Sequence, residues 1–560
     1  FVTGRIVDAH TGGPIAEASV ALRPSGTGVT SDLSGRYCVR VNGAGTQLEI
    51  TYPGYAIWVE PVGGREVIDV ALVPLVKSKI PEVPVAYGDV VPTLQGGASV
   101  VVRAGRFSQR VVTDLGQILA GQVSGLHATS GDGQPGSYPE LRIRGFGVPA
   151  TSPAPLLLLD GMQYRGPLSD IVPFEVSSVT VQKDAAALAI QGARGGGGAL
   201  LITSKTGSRI PLRQVRLSFS TSHGVVQRAI PTYETVGTED YYKAVWQMLY
   251  NASVSDPQDL RSDAEKRKAA SQGVYDKLIY NPFRGVKGNE AVLSSGALNQ
   301  QIQGLLYGDD LDWRKAIERT AYRGEYNLHL AYRDSSWRAY SSLNYLDEQG
   351  FAIRTSYARY ALRVGGEYTV KRWLTLGTSA RLLRTTQARL HAGEGNSNAN
   401  PFRFATMIAP IYPIHVHDEQ GEYVRDGSGA KRFDYESSRG IRAMPGRNAA
   451  AEMRWDDNTL TRDVLEGRAS ARVQLLRGLS VQSNFSYMLE GQLGKEFFNA
   501  RLGEAKGRGR LIYRNGRNAS STFNQLLHWD WPFAERYKLG LLVGHESHFW
   551  DVRRNAAKMA

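Results

Sequence analysis

A run of four glycines interrupts the stretch "QKDAAALAIQGARGGGGALLITSK", Gln182 to Lys205. Such a run suggests a phosphate-binding loop, but that loop needs a lysine and a hydroxyl residue directly after its last glycine. Here Gly198 is followed by Ala199 and Leu200. The order of elements is also reversed, because "DAAALAI" predicts a short helix before the glycines and "ALLITSK" predicts a strand after them. We therefore predict a tight helix-to-strand turn, in which glycine permits positive φ and close backbone approach.

The glycine turn lies in a compact segment of mixed character, residues 96–211. Further strands are predicted at "LRIRG", "APLLLLDGM" and "VSSVTVQK". Asp160 follows four leucines and could be a catalytic acid at a strand end, but an Asp-Gly turn with Gly161 is the simpler interpretation. One face of a predicted helix in "TDLGQILAGQVSGLHAT" carries Leu115, Ile118, Leu119 and Val123.

Composition narrows the possible classes of protein. A chain of 560 residues is long enough for several domains. The formal net charge of +13 could indicate nucleic-acid binding, but 53 acidic residues are dispersed among 66 basic ones, with no long basic block. A solvated surface or a channel lining explains that excess better, so no nucleic-acid partner is expected. Cys38 is the single cysteine, and it therefore has no partner for a disulfide within the chain.

The N-terminal part is rich in short strands. Residues 1–74 contain "TGRIVDA", "ASVALR", "GRYCVRV", "QLEITY" and "VIDVALV", separated by Gly, Pro, Asp and Ser. This spacing predicts a small β-sandwich. Residues 75–95 are punctuated by proline and glycine and mostly extended, which predicts a linker.

From about residue 212 the sequence alternates between apolar and polar residues, and it does so repeatedly. In "VRLSFST", Val215, Leu217 and Phe219 alternate with arginine and serine, and "EYNLHLAY", "YALRVGGEYTV" and "LSVQSNFSYML" repeat the pattern. Such strands, recurring over residues 212–560, predict a large membrane β-barrel with a lipid-facing outside and a wet interior. We predict nine strands, at about 212–222, 323–333, 338–347, 358–370, 374–386, 466–476, 479–490, 521–531 and 537–547.

The connections between these predicted strands alternate between long and short. The short ones are "DSSW", "VKRW", "RG" and "PFAERY". Outer-membrane barrels have short periplasmic turns and longer outside loops, so residues 1–211 are expected in the periplasm or inside the barrel.

These residues together resemble a known family. "LRIRGFG", "PLLLLDGM", "GQVSGLHATSGDGQPGS" and "VSSVTVQKDAAALAIQGARGGGGALLITSK" resemble the plug domain of SusC-like TonB-dependent transporters. Residues 1–74 resemble the carboxypeptidase-regulatory-like β-sandwich that precedes this plug. The resemblance implies an all-β membrane barrel with an α+β plug and an N-terminal sandwich. Such barrels have about 22 strands when complete, against about nine here.

The family also implies a function, partners and site residues. It implies import of a nutrient such as an oligosaccharide or a peptide across the outer membrane, driven by TonB with the ExbB/ExbD energy system, usually under a SusD-like surface lipoprotein. No cofactor or catalytic residue is expected. The candidate Ton box, an extended segment that adds to a sheet edge of TonB, comprises Glu82, Val83, Pro84, Val85, Ala86, Tyr87 and Gly88. The plug-motif residues are Arg142, Arg144, Gly145, Asp160, Gly161, Lys183, Asp184, Gly192, Arg194 and Gly195.

The register of the Ton box is open between two segments. Pro84 stands where the family favours valine, and it removes one backbone donor, so that position must face away from the partner. "VVPTL", residues 90–94, is a second candidate.

Two clusters could suggest metal binding. His415 and His417 in "HVHD" would share a strand face, but the segment continues into a hairpin-like turn. Asp309, Asp310 and Asp312 in "GDDLDW" have oxygen ligands at a spacing that could suit Ca²⁺, but the glycine and terminal glutamate of an EF-hand are missing. An ordinary solvated turn is the preferred interpretation, and no metal is expected.

Aromatic residues near the end of the chain fit two interpretations. They suit membrane-interface belts, and some of them could instead stack on sugar rings. They are Trp529, Trp531, Tyr537, Phe549 and Trp550.

An alternative to energised import is a surface binding or assembly subunit that keeps the same fold. An enzyme is the third class, disfavoured because the sequence offers no acid pair or nucleophile motif. A nine-stranded arc would leave backbone groups unpaired in lipid along two edges, one of them near Val215. We therefore expect the sequence to be a fragment or one piece of a split polypeptide.

Overall fold

A computed structural model describes most of the chain. The described residues are 1–9, 12–41, 43, 45–52, 55–73, 83–85, 88–90, 99–106, 110–145, 154–184, 189–206, 213–391, 399–435, 439–440, 444–534 and 537–559. They divide into two compact units, one formed by residues 1–99 with 184–190 and the other by residues 100–183 with 191–560.

The first unit is a two-sheet β-sandwich, as its strand spacing predicts. Its seven strands are β1 Val2–Asp8, β2 Ser19–Arg23, β3 Gly28–Thr30, β4 Arg36–Val39, β5 Gln47–Thr51, β6 Trp58–Pro61 and β7 Val70–Leu72. One sheet has the order β4-β1-β7 and the other β3-β2-β5-β6. Alternate side chains of both sheets, among them Ile6, Val20 and Ile50, are fully buried between them.

The candidate Ton box is paired rather than free. β8 (Val83–Val85) pairs antiparallel with β9 (Gly88–Val90), so that Val85 lies opposite Gly88 and Pro84 opposite Asp89. The extended segment expected here is thus already paired at residues 83–85, where the adjacent chain supplies hydrogen-bond partners for its backbone groups. Residues 82, 86 and 87, and residues 91–94 of the second candidate, lie outside the described residues.

The second unit begins with a small α+β segment, which we call the plug segment (described residues 100–206 of this unit). Its strands are β10 Ser99–Arg103, β11 Leu126–Thr129, β12 Glu140–Ile143, β13 Leu156–Leu159, β14 Met162–Gln163, β15 Val176–Gln182 and β16 Ala199–Ser204. Five of them form a sheet of order β10-β15-β16-β13-β14, and β11 pairs with β12. Turns of 3₁₀ helix lie at Ala104–Arg106, Leu168–Asp170, Pro173–Glu175 and Ala189–Gly197.

Two helix predictions in the plug segment need correction. The first helix spans only Leu115–Leu119, where Asp114 caps it by accepting a hydrogen bond from the Gln117 amide at 3.1 Å. Val123, predicted on the same helical face, is buried beyond the helix end. The described residues Ala189–Gly197, which include three of the four consecutive glycines, form 3₁₀ turns interrupted by a kink at Gly192, and residues 185–188 lie outside the described part. Glycine-rich sequence disfavours the longer regular helix.

Nine long strands form the rest of the second unit and confirm the nine predicted strands. They are β17 Gln214–Val226, β18 Ala321–Arg333, β19 Trp337–Gln349, β20 Ser356–Lys371, β21 Leu374–Ala388, β22 Asp457–Leu476, β23 Leu479–Phe498, β24 Arg510–Ala534 and β25 Tyr537–Met559. Each pairs antiparallel with the next, in the unbroken order β17 to β25. Short and long connections alternate as the sequence predicts.

The long connections fold into a helical region of their own. Its helices are Thr238–Ser255, Asp263–Leu278, Trp313–Ile317, Pro401–Met407 and Ala449–Trp455, with 3₁₀ turns at Gly288–Glu290, Gly308–Asp310 and Gly503–Ala505. Tyr242, Phe283 and Tyr412 are fully buried in its core. The Ser262 side chain and Glu265 form a capping box at the start of Asp263–Leu278. Among the described residues, no helix combines the length and the apolarity that a membrane crossing requires.

Candidate functional site

The glycine turn brings β16 into place beneath β12. Gly198 has φ +85°, a conformation that glycine adopts without strain. A Cβ atom on it would lie 2.6 Å from Ile143 Cδ1 and 3.1 Å from the Gln182 carbonyl oxygen. The predicted turn, with positive φ and close backbone approach, is confirmed at this residue. It positions β16 between β15 and β13 at the centre of the plug sheet.

The inner face of the nine-stranded sheet is polar and lies against the plug segment. Alternation along each strand puts Asn327, Arg359, Arg381 and Glu466 on this face, all of them buried. The apolar cores nevertheless join, since Ala361, Leu383, Val464 and Met488 of the sheet belong to the same buried cluster as Leu115. The interface therefore combines one apolar contact area with several buried ionic groups.

Asp170 of the plug segment sits in the strongest of these ionic contacts. Arg462 of β22 donates from Nη1 and Nη2 to its two carboxylate oxygens, at 2.8 and 3.0 Å. The same guanidinium donates to Glu490 of β23 at 2.6 and 2.8 Å. Arg381 donates to the Asp170 carbonyl oxygen at 3.3 Å. A bidentate arginine–carboxylate pair of this kind fixes orientation as well as distance.

Asp160 links the plug sheet to the nine-stranded sheet through hydrogen bonds. It has φ +50° and Gly161 has φ +81°, which confirms the predicted Asp-Gly turn between β13 and β14. Its carboxylate accepts hydrogen bonds from the Ser204 amide at 2.7 Å and from Arg468 Nη1 at 3.0 Å. Arg468 also donates to the Leu159 carbonyl oxygen at 2.7 Å. The residue is therefore a structural link rather than a catalytic acid.

Arg359 of β20 holds two loops of the plug segment at once. It is the largest fully buried side chain in the described part of the chain. Its Nη1 donates to the carbonyl oxygens of Thr113 and Ser169, at 2.9 and 3.1 Å, and Nε donates to Asn344 at 2.9 Å. The neighbouring Asp114 carboxyl is also fully buried, and burial raises its pKa to about 6.

The remaining plug-motif residues do not gather into one site. Arg142 on β12 pairs with Glu140 at 3.1 Å, and Lys183 donates to the Ser124 carbonyl oxygen at 3.0 Å. Arg194 donates to Gln163 at 2.8 Å and lies 3.5 Å from Glu546 of β25. The others occupy turns: Arg144 and Gly145 have φ of +61° and +88°, Gly192 has φ +59°, Gly195 is buried, and Asp184 follows β15.

The outer face of the nine-stranded sheet is apolar and carries two groups of stacked aromatic side chains. Val215 and Leu217 are about two-thirds exposed, at 65% and 67%. One group contains Tyr345, whose ring lies 4.8 Å from Tyr360. The other contains Trp337, whose ring lies 4.3 Å from Tyr368. Trp337 and Tyr345 lie on one strand, β19, and eight positions of strand span about 26 Å.

The late aromatic residues divide between the two faces. Trp529 and Trp531 stack 5.6 Å apart and are exposed. Phe549 is exposed, whereas Trp550 alternates to the inner face, where the Arg165 guanidinium of the plug segment lies 4.3 Å from its ring. A place for Trp550 in a membrane belt is therefore wrong, because strand alternation turns it inward. The side chain of Tyr537 lies outside the described part.

The two clusters considered for metal binding form one hydrogen-bonded network instead. His415 Nδ1 and His417 Nε2 lie 2.8 and 3.0 Å from the two carboxylate oxygens of Asp310. Asp309 accepts from the Tyr423 hydroxyl at 2.8 Å, and Asp312 caps the helix Trp313–Ile317. Across the described residues there is no group of three or more His, Cys, Asp or Glu side chains suited to hold a metal.

This network perturbs two of its own pKa values. Burial alone would raise the pKa of Asp310, but hydrogen bonds from His415 and His417 lower it to about 2. Burial would lower the pKa of His417, but its hydrogen bond to Asp310 raises it above its usual value. An ionised Asp310 therefore holds the segment from His415 to Phe433 against the turn Gly308–Asp310.

The sequence did not single out the arginines that bind the plug segment. Arg359, Arg462 and Arg468 occupy the polar face of strands whose alternation was recognised. The sequence feature that could have identified them is a charged side chain at successive inward positions of neighbouring strands. A water-filled interior requires polar side chains at these positions but does not require charged ones. Charges at such positions point to a partner inside the sheet.

Comparison with known proteins identifies the plug segment. Residues 94–199 match the family described as TonB-dependent Receptor Plug Domain. The chain is similar to TonB-dependent receptor P39 of Formosa agariphila, with 23% identity over 554 residues that cover 98% of this chain and 46% of that protein. It is also similar to TonB-dependent receptor SusC of Bacteroides thetaiotaomicron, with 27% identity over 42% of this chain and 24% of that protein.

Solved structures share the fold. The RagAB peptide importer in its "closed-closed" state aligns with a TM-score of 0.62 and 19% identity, over 82% of this chain and 49% of that one. The "open-open" state aligns with a TM-score of 0.63 and 20% identity, over 85% and 50%. The chain thus spans half or less of the length of these relatives and structures.

Proposed function

We propose that this chain, which belongs with the SusC-like TonB-dependent transporters, works in the energised import of a nutrient across the outer membrane. The nutrient is an oligosaccharide or a peptide. One observation carries the proposal: a plug segment is held by buried ionic contacts on the polar inner face of a sheet whose outer face is apolar. A sheet that surrounds the core of a soluble protein would not expose an apolar outer face. A soluble receptor would not need a plug segment.

The apolar outer face fits a lipid bilayer in height. The two groups of stacked aromatic residues, around Trp337 and Tyr345, are separated by about 26 Å along β19. With the strand tilt of about 35–45° usual in such barrels, this corresponds to roughly 20 Å along the membrane normal. Aromatic side chains prefer the two interfaces of a bilayer, so the strand segment between them would lie in the hydrocarbon region.

The polar contacts of the plug segment suit a part that must move. Separating two apolar surfaces would expose hydrocarbon to water, whereas water can replace the hydrogen bonds that Arg359, Arg462 and Arg468 make. The bonds from these arginines to the plug segment are 2.7–3.1 Å long, and several of them end on carboxylates, so the plug segment stays docked at rest. A pulling force could therefore open a path for the nutrient by hydrating this interface.

The pulling force would enter through the candidate Ton box, Glu82 to Gly88. TonB would bind it by adding a strand, which supplies main-chain hydrogen bonds. Opposite residues of an antiparallel pair alternate between hydrogen-bonded and non-hydrogen-bonded positions. Proline has no backbone N–H to donate, so Pro84 and Asp89 must form a non-hydrogen-bonded pair. The amide groups of Val83 and Val85 then face β9, and TonB would have to displace β9 to reach them.

The remaining parts take their proposed roles from this arrangement. Residues 1–74 would form a periplasmic carboxypeptidase-regulatory-like domain, 75–95 the linker, 96–211 the plug and 212–560 the first part of the barrel. The short turns would face the periplasm. The long connections would face outward and support a SusD-like lipoprotein. SusC and the RagAB peptide importer are related to the chain, which favours a lid of this type and a nutrient as cargo.

Deletion of Glu82 to Gly88 from the full-length protein tests energised import. We expect nutrient uptake to fall to background, while the amount of protein in the outer membrane stays unchanged. Replacement of the exposed turn residues 426–430 by glycine and serine is the control and should leave uptake intact. Unchanged uptake without Glu82 to Gly88 would instead favour a binding or assembly subunit that does not transport.

A further inference from the structure

A large open cavity lies between the plug segment and the inner face of the nine-stranded sheet. It has a volume of about 1630 Å³, and its lining includes Tyr138 of the plug segment and Gln492 and Asn518 of the sheet. A second cavity of about 420 Å³ adjoins it. The residues that line both cavities mark their junction, and the described part of the chain has seven of them: Arg389, Leu390, His391, Ala399, Asn458, Phe498 and Glu504.

Four of the five carboxylates that line the large cavity are paired with an arginine. Glu140 is bound by Arg142 at 3.1 Å and Glu490 by Arg462 at 2.6 Å. Glu504 is bound by Arg447 at 2.8 Å. Glu496 is bound by Arg514. Asp132 accepts hydrogen bonds from Gln134. The acidic groups of the lining therefore leave little negative charge to neutralise further cations.

Four arginines of the lining have no carboxylate partner within the described ranges, namely Arg165, Arg389, Arg510 and Arg554, and of these Arg389 and Arg510 lie at or beside the junction. Arg510 at the start of β24 lies over the Phe498 ring, with 4.1 Å between the guanidinium carbon and the ring centroid. His391 packs on the same ring, at 4.2 Å between centroids. The Arg389 backbone amide donates to the Asn458 carbonyl oxygen at 2.8 Å. Buried Nε atoms of Arg389 and Arg510 have no hydrogen-bond partner in the described part of the chain.

We propose that the junction of the two cavities binds an acidic oligosaccharide, with Arg389 and Arg510 holding its carboxylate or sulfate groups. Arginine presents a planar fork that matches both anions in bidentate geometry. Phe498 packs against both Arg510 and His391, and Asn458 and Gln492 add amide groups that can bind hydroxyls. This lining of amides and cations suits a hydroxyl-rich anion better than an acidic peptide. The inference rests on the proposed import function, whose cargo it narrows.

Binding to the purified full-length protein tests this inference without transport. Tetragalacturonate is the acidic probe, maltotetraose the neutral one and tetraglutamate the peptide one, each titrated by calorimetry. We expect tetragalacturonate to bind at least about tenfold more tightly than maltotetraose, since each charge-assisted hydrogen bond adds a factor of this order. It should also bind more tightly than tetraglutamate, which lacks the hydroxyls that Asn458 and Gln492 can bind. Raising the salt concentration should weaken this binding, because added ions screen the charges.

Four variants locate the site. Arg389→Gln and Arg510→Gln should each weaken tetragalacturonate binding by about tenfold. Arg517→Gln removes the same charge from the exposed opposite face of β24 and should leave binding unchanged. Arg510→Lys, which keeps the charge without the fork, should retain part of the affinity and covers the case that the glutamine variants fail to fold.

Three outcomes would overturn the inference. They are equal binding of maltotetraose, unchanged tetragalacturonate binding in both glutamine variants, or tetraglutamate binding that is as tight and depends on both arginines, which would assign the junction to peptides. Each of these can occur while uptake still requires Glu82 to Gly88. Failure of this inference is therefore distinguishable from failure of the proposed import function.

Discussion

Arg462 of β22 donates hydrogen bonds to both carboxylate oxygens of Asp170, at 2.8 and 3.0 Å, across the boundary between the nine-stranded sheet and the plug segment. The two side chains are 9% and 1% exposed. A buried ion pair adds little net stability over an apolar contact, because both charges lose their hydration. Its consequence is specificity: removal of one partner leaves the other charge buried, so the plug segment can dock in only one orientation.

Asp170→Asn should loosen the plug segment while the sheet stays intact. The variant leaves Arg462 without half of its compensating charge, and breaking a buried pair in this way costs roughly 3–5 kcal/mol. Hydrogen exchange should show faster exchange in Leu168–Asp170 and β15. Asp463→Asn breaks an exposed pair with Arg384 and should cost about 1 kcal/mol or less. Equal protection of the plug segment in both variants would contradict the assigned role of Asp170.

Gly198→Ala should destabilise the plug segment far more than Gly196→Ala. The first substitution places a methyl group at positive φ and 2.6 Å from Ile143, which costs about 1–2 kcal/mol from the backbone alone. In the second substitution the added methyl group has no neighbouring atom of the described part of the chain within 4 Å, and Gly196 does not have a positive φ. Exchange rates of the β16 amides measure the difference, and similar rates in both variants would show that the turn tolerates a side chain.

Val364→Arg should impair membrane insertion, because it places a charge on the outer face midway between the two aromatic groups. An arginine at the bilayer midplane of a β-barrel costs roughly 2–4 kcal/mol, and near the interface about 0–1 kcal/mol. Leu376→Arg is the control, since Leu376 is outward-facing and pairs with Tyr368 at the level of Trp337. Refolding into lipid vesicles measures both variants. If Val364→Arg inserts as well as Leu376→Arg, the outer face does not contact hydrocarbon.

The Asp310 network should make the segment His415 to Phe433 sensitive to pH. The lowered pKa of Asp310 stabilises the fold above the ordinary value near 4, and this contribution is lost as pH falls towards about 2. The raised pKa of His417 stabilises it at low pH, and this contribution is lost as pH rises through that pKa, above about 6.5. Protection should therefore be greatest between about pH 4 and 6.5.

Hydrogen exchange at pH 5.5 and 8.5, corrected for intrinsic rates, measures this dependence. We expect weaker protection of the Val416 and Val424 amides at the higher pH, and a His417→Gln variant should lose the difference. A pH dependence that survives in this variant would contradict its assignment to His417.

The existence of the nine strands could be predicted from sequence because one face of each must be apolar. Their ends could not. β24 runs from Arg510 to Ala534, whereas alternation predicted only 521–531. Its first part, "RLIYRNGRNAS", carries polar residues on both faces, since a strand beyond the hydrocarbon region meets water on its outer side. Hydrogen bonding to β23 continues through this part without needing the pattern.

The contacts that define the site lay beyond sequence reasoning for a different reason. Arg462 and Asp170 are 292 positions apart, and only the folded sheet brings them together. Asp160 and Gly198 could be assigned because a turn is local and its residues follow one another. Trp550 could not be assigned in this way. Its aromatic side chain suggested a membrane belt, whereas its pairing opposite Ser520 on β24 places it on the inner face.

In the proposed mechanism, force from TonB reaches the plug segment through the candidate Ton box. Site-specific photo-crosslinking in living cells probes this contact, with the reactive group at Val85 of the full-length protein. We expect a covalent adduct with TonB that increases when the nutrient is supplied and disappears when Val83 is replaced by proline, which removes a main-chain donor that strand addition needs. No adduct from Val83, Val85 or Val90 in cells that continue to take up the nutrient would contradict it.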